Sequence, residues 1–161
     1  MTFTKTVLGP EVGRGLDLLA GGTEIDQPAY SEGVRLDLPG FTWIMLSGVV
    51  ALDDDLQVVG AGDLRAQIRF ILDTIRRKLE EQGAGITDIC RVRVYLVGGL
   101  TPERFRIIHE ERARIFDPDH YPASTMVEVT SLMKPELLIE IDADAVFSQP
   151  DNASNQIETE G

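Results

Sequence analysis

One cysteine in 161 residues, Cys90, leaves no second thiol for an internal disulfide and none for a cysteine-rich zinc site. Such sparing use of cysteine is consistent with a reducing cytoplasm. Basic residues are also short: 15 Lys and Arg stand against 27 Asp and Glu, a formal charge of -12. Phosphate recognition rests on clustered cations, so neither nucleic acid nor an anionic membrane is an expected partner. Only 6% of residues are aromatic, so the 43% hydrophobic content must build a mostly aliphatic core. No apolar run approaches the roughly 18 residues of a membrane span. The first ten residues lack the basic and apolar regions of a signal peptide. The expected protein is a soluble, cytoplasmic single domain. A Walker loop, G-x-G-x-x-G, H-E-x-x-H and G-x-S-x-G are all missing. The two histidines, His109 and His120, lack metal-ligand spacing with each other.

What is present is a run of alternating elements. Residues 1–29 are weakly periodic and Gly-rich, and are expected to form an extension that packs loosely or wraps a neighbour. Residues 148–161 are polar and acidic, the composition of a disordered tail. Between them, 31–36 and 41–50 read as strands. The Asp53-Asp54-Asp55 run reads as a solvated turn, since it lacks the Gly and distant Glu of a calcium loop. The clearest helix covers 63–82, with Leu64, Ile68, Leu72, Ile75 and Leu79 on one stripe, Asp63 as N-cap and Gly83 as terminator. Its Arg76, Arg77 and Lys78 read as a solvated face favoured by the helix dipole.

Residues 89–97 alternate, with Cys90, Val92, Val94 and Leu96 on one face and Arg91, Arg93 and Tyr95 on the other. On that pattern Cys90 is an inert core thiol. A second helix covers 102–116, capped by Thr101, with Phe105, Ile108, Arg112 and Ile115 on one side and His109 beside them. Residues 124–129 and 137–147 are the last strands. Two helices cannot cover both faces of such a sheet, so they should pack on one face of an α+β fold. The other face then needs sister subunits to cover it.

Several segments, in order, resemble the RidA/YjgF/UK114 family: Tyr30-Ser31-Glu32, Leu46-Ser47-Gly48, Ala66-Gln67 with Ile71-Leu72, Gly83-Ala84 through Thr87-Asp88-Ile89, Val94-Tyr95-Leu96, Tyr121-Pro122-Ala123, Val127-Glu128-Val129 and Ile139-Glu140-Ile141. The resemblance spans about residues 30–147. It implies a chorismate-mutase-like single domain (bacillus type), a mixed sheet with two helices on one face, assembled as a homotrimer with a pocket at each interface. It also implies hydrolysis of small imines and enamines, such as 2-aminoacrylate, to keto compound and ammonia with no cofactor. The family also carries an older endoribonuclease label, which the charge of -12 disfavours.

Position by position, the resemblance is incomplete. In deaminating members an arginine follows the Pro-Ala pair and binds the substrate carboxylate; here that position is Ser124. A serine lacks the charged bidentate fork. Met126 stands where cysteine is frequent, and Val49 where a glutamine is. Glu140, the carboxylate that places the attacking water, is kept, and so is Tyr30. The expected catalytic residues are therefore Glu140 and Ser124. The expected substrate-binding residues are Tyr30, Ser47, Gly48, Phe105, His109, Arg112, Met126 and Arg93.

Arg93 and Arg112 are the candidates to replace the missing guanidinium, unless each only forms a surface salt bridge. His109 is either a proton relay or a helix histidine at the core edge. Glu140 is either the base, an exposed strand residue, or one half of an intersubunit ion pair with Arg91 or Arg93. If the last two strands pair, Glu140 lies near Ser124. The expected function is an imine or enamine hydrolase with altered scope, favouring less anionic substrates. The alternative is a non-catalytic trimer that binds a metabolite and regulates a partner.

Overall fold

The computed structural model describes residues 2–9 and 30–148. Eight main elements follow in order: β1 (Thr4–Leu8), β2 (Gly33–Leu38), β3 (Phe41–Val50), α1 (Leu64–Glu80), β4 (Ile89–Val97), α2 (Pro102–Ala113), β5 (Ala123–Val129) and β6 (Ile139–Ser148). The sheet order is β1-β2-β3-β6-β4-β5. Every neighbouring pair is antiparallel except β4 and β5, which are parallel. That parallel pair requires a crossover, and α2 supplies it. Both helices pack on the same face of this α+β domain. Within the expected N-terminal extension, Thr4–Leu8 is an edge strand paired with β2. Residues 10–29 and the expected tail beyond Ser148 lie outside the described residues.

Helix α1 forms for the reasons its sequence gives. Asp63 Oδ1 accepts the Ala66 N–H at 3.1 Å, and Gly83 adopts a φ of +80° just past the end. Its whole apolar stripe is buried, with Ile71 added. Gln67 is also fully buried, which no hydrophobic pattern foretells. Its amide donates to Gly60 O and Glu136 O and accepts from the Leu138 N–H, so it ties the helix to two loops and leaves no polar atom unpaired.

Helix α2 packs differently from expectation. Ile108 and Glu111 are its buried residues, and Phe105 is 46% exposed. Glu111, only 2% exposed, is held by Arg65, Arg69 and Arg114. The face towards α1 therefore centres on a charge cluster rather than on the Phe105 stripe.

Two bulges set which side chains face the core. On β4, Ile89 pairs with Ala145 but Arg91 with Asp144, so Cys90 is an extra residue. Ile89 and Val92, three apart, both point inward, and Cys90 is exposed with its thiol on Asp144 O at 3.3 Å. The strict alternation that placed Cys90 in the core fails at this bulge. On β3, Leu46 pairs with Ala143 and Val49 with Ile141, so an extra residue lies at Ser47–Gly48. The face opposite the helices carries Phe41, Trp43 and Val146, each 38–39% exposed. Among the described residues no helix is long and apolar enough to cross a membrane.

Candidate active site

β2 starts at Gly33 opposite Leu46, so β3 runs on past its neighbour. Only the Ser47 N–H continues the pairing, to Glu32 O at 2.9 Å. The strand end, the loop after it, α1 and the chain around Tyr30 enclose a cavity of about 440 Å³. Tyr30, Ser47, Gly48 and Glu140 all line it. Four of the expected site residues, from three separate parts of the chain, thus meet in one place.

Their packing has a steric logic. A Cβ on Gly48 would lie 2.7 Å from Glu140 Cδ and 3.0 Å from its Cγ, closer than real contacts allow. The glycine therefore lets the Glu140 carboxyl rest against the bulged strand. Gly48 is not among the positive-φ residues, so close approach rather than backbone conformation requires glycine here. The Ser47 hydroxyl donates to Ser31 O at 2.6 Å and fixes how the Tyr30 segment enters the cavity.

Glu140 is half-buried, and among the described residues its carboxyl has neither hydrogen bond nor ion pair. Burial, and then the negative charge of Asp142, push its carboxyl above the usual carboxylate range. Asp142 itself is engaged: Arg93 lies at 2.6 Å and the Tyr95 hydroxyl donates to it at 3.2 Å. Arg93 also reaches Asp144 at 2.8 Å, so its guanidinium is consumed by two carboxylates and does not line the cavity. The salt-bridge reading holds for Arg93, with Asp142 and Asp144 as partners instead of Glu140.

The other expected residues form a second group, at α2 and β5. Arg112 donates to Ser124 Oγ at 3.0 Å, and its guanidinium lies 5.8 Å from the Phe116 ring centroid. Phe105 and His109 stack with centroids 4.2 Å apart. Met126 packs against the core. The strands carrying Ser124 and Glu140 do not pair, because β4 lies between them. Register puts Ser124 beside Val92, on the helix side, and Glu140 beside Tyr95, on the open side. Within one chain, therefore, the hydroxyl and the carboxylate expected to work together are kept on opposite faces.

Sequence reasoning missed Lys78, Glu32, Thr74 and Met133, all in the cavity wall. Lys78 bonds Glu32 and is 15% exposed, so it is not part of a solvated basic face. Its position one turn beyond Thr74 was a usable signal, because both then face the same way from α1. Asp53 also lines the cavity, and its Oδ1 accepts the N–H groups of Asp55 and Gln57 as a turn former.

Residues 24–147 match the profile of the family described as Endoribonuclease L-PSP. A 3-aminoacrylate deaminase RutC from Acinetobacter baylyi is 34% identical over 98 residues, 61% of this chain and 74% of its own. A RutC family protein from Pyrococcus abyssi is 29% identical over 114 residues, 71% of this chain and 83% of its own. A solved member of the YjgF/YER057c/UK114 family from Mycobacterium tuberculosis superposes with a TM-score of 0.63 at 30% identity, covering 88% of this chain and 98% of that one. The chorismate-mutase-like fold expected from the sequence is the fold observed. With the profile covering most of its length and its architecture shared, the chain belongs to the RidA/YjgF/YER057c/UK114 family.

Proposed function

We propose that the protein hydrolyses small imines and enamines, without a metal or organic cofactor, at the cavity that holds Glu140. The observation that carries this is the unpaired, half-buried Glu140 carboxyl set against Gly48, with Tyr30 and Ser47 beside it. An enamine first takes a proton on carbon to become the protonated imine, the form in which an imine substrate also reacts. Glu140 then removes a proton from water as the oxygen attacks the imine carbon, and a carbinolamine forms. Glu140 returns that proton to the amine nitrogen, the carbinol O–H passes its own proton back to the Glu140 carboxylate as the C–N bond breaks, and ammonia leaves with the carbonyl product. A carboxyl with a raised pKa suits a group that must both take and give a proton. The name of the RutC relative, a 3-aminoacrylate deaminase, supports the substrate class.

The remaining expected residues fit a homotrimer of head-to-tail copies. In such a ring the Ser124, Arg112, His109 and Phe105 group of one copy would complete the Glu140 cavity of the next. The exposed Phe41, Trp43 and Val146 give the open face a reason to be covered. The test is ammonia release from imines generated in solution by an amino-acid oxidase. Glu140→Gln should lower kcat by about 10²–10⁴-fold, and unchanged turnover would remove the mechanism. The second reading, a trimer that binds a metabolite without turning it over, draws on Ser124 standing where deaminating members have arginine. Thermal stabilisation by a ligand with no ammonia released would select it.

A further inference from the structure

Along β6, Glu140, Asp142 and Asp144 occupy alternate positions and so share the open side of the sheet. Carboxyls in such a row, about 7 Å from one to the next, repel one another unless the neighbouring strand supplies cations and donors. β4 supplies them selectively. Register sets Arg93 opposite Asp142 and Tyr95 opposite Glu140. Yet the Tyr95 hydroxyl leans along the sheet and donates to Asp142 Oδ2 at 3.2 Å, not to Glu140. Burial, then the charge of Asp142, raises the Tyr95 phenol above its ordinary value, so it stays a donor. Arg93 takes the other Asp142 oxygen at 2.6 Å and Asp144 Oδ2 at 2.8 Å. Each oxygen of Asp142 therefore has a donor, while Glu140 is left with none. The other charged groups around Glu140 are occupied. Glu32, just before β2, and Lys78, on α1, bond each other in the cavity wall. Asp53, after β3, spends Oδ1 on the Asp55 and Gln57 N–H groups, and Tyr30 lines the cavity as a phenol. From β3 itself, the residue paired with Glu140 is Val50, which carries no charge.

We infer that Asp142, clamped by Arg93 and Tyr95, is a positioning residue for Glu140: a fixed negative charge, two residues along the strand, that makes the Glu140 carboxyl hold its proton more tightly. Its role in turnover rests on the imine-hydrolase reading; its electrostatic effect on Glu140 does not. Where two like charges lie close, the one with poorer support gives way, and Glu140, with no donor, has the poorer support. Burial and Asp142 act on it in the same direction. A base that holds the proton it takes from water can still deliver it to the amine nitrogen in the next step. Arg93 opposes Asp142, because its positive charge offsets part of the field that reaches Glu140. The two neighbours thus pull in opposite directions: removing the anion loosens the proton on Glu140, and removing the cation tightens it.

The test follows the titration of Glu140 in the full chain by two readouts. One is the carboxyl carbon resonance of isotope-labelled glutamate in an NMR pH series, assigned by its loss in Glu140→Gln. The other is the midpoint of the limb of kcat/KM for ammonia release that rises with pH. Asp142→Asn, nearly unchanged in shape, should lower both midpoints by about one pH unit, the scale of one charge about 7 Å away in a partly screened setting. Arg93→Gln should raise both by about half a unit. Tyr95→Phe, which leaves both charges in place, should move them least of the three. A merely structural disturbance of the sheet would shift Asp142→Asn and Arg93→Gln the same way, so opposite signs are the discriminating result. A midpoint that Asp142→Asn leaves in place, shifts of one sign in the two charge variants, or a Tyr95→Phe shift as large as that of Asp142→Asn overturns the inference. Where Arg93→Gln does not fold, the Asp142→Asn and Tyr95→Phe midpoints decide. Should no imine yield ammonia while the resonance shifts as stated, the hydrolase reading falls and the coupling stands. Should ammonia be released along a limb that Glu140→Gln abolishes and Asp142→Asn leaves unmoved, the coupling falls and the hydrolase reading stands.

Discussion

Replacing Gly48 by alanine adds one carbon at the point where the cavity is most crowded. The new Cβ would sit 2.7 Å from Glu140 Cδ and 3.0 Å from Cγ. Carbon atoms prefer about 3.5–4.0 Å, so the carboxyl must withdraw by about 1 Å. A displacement of that size in a group that positions water costs about 10²-fold in rate, or about 2.7 kcal/mol of barrier. The obstruction is the free end of a flexible side chain, so the fold can yield cheaply, and stability should fall by less than about 1 kcal/mol. The assay is kcat/KM for ammonia release, beside a melting temperature for each variant. The double variant with Glu140→Gln is the decisive control. If Gly48 acts by seating Glu140, the alanine costs nothing further once the carboxylate is gone. An unchanged rate in the single variant, or a full additional loss in the double variant, would refute the seating argument.

Other outcomes are as definite. On the proposed mechanism Glu140 is the base, and burial raises its pKa, so kcat/KM should rise with pH through a midpoint shifted upward from that of an ordinary glutamate, and this limb should vanish in Glu140→Gln. The sign for stability runs the other way. A carboxyl with a raised folded-state pKa favours folding below its unfolded pKa and loses that contribution as pH rises. Glu140→Gln should therefore raise the melting temperature at neutral pH while lowering turnover. Glu111 is the converse case: hydrogen bonds from Arg69 and Arg65 lower its pKa from 4.5 to about 2. Its contribution, roughly 3 kcal/mol by linkage, is present above the unfolded pKa and should drain away as acid is added from about pH 5 to pH 2. Glu111→Gln should flatten that slope in a pH series of melting curves. The proposed trimer predicts assembly in sedimentation that Trp43→Glu, on the open face, breaks to monomer, whereas a monomeric wild type or an assembly unchanged in the variant would show that this face is not the contact.

Much of the architecture could be read locally. The α1 stripe, its Asp63 cap, its Gly83 terminator and the Thr101 cap are short-range patterns, and each appears in the structure. What escaped is what depends on a distant partner. Thr4–Leu8 has little alternation to mark it, because an edge strand whose residues are mostly exposed is held largely by backbone bonds to β2. Cys90 looked like a core residue because alternation assumes that no residue is spare, and the β4 bulge is defined only by its pairing with β6. Lys78 looked solvated because its partner Glu32 is 46 positions away in sequence. Of the site, Tyr30, Ser47, Gly48 and Glu140 were legible as a set through the family resemblance. Their separation from Ser124 and Arg112 was not, since it follows from β4 lying between β5 and β6.

The surplus residue at Ser47–Gly48 makes chain length itself part of the site. Side chains in a strand alternate, so losing one position there would reverse the phase of everything before it. Trp43 and Met45 would turn towards the helices, and Ile44 would be thrust into solvent. A one-residue deletion would thus do more harm than many exchanges of side chain. The count of peptide units between Phe41 and Val50 thus matters to this hollow as much as the side chains that surround it.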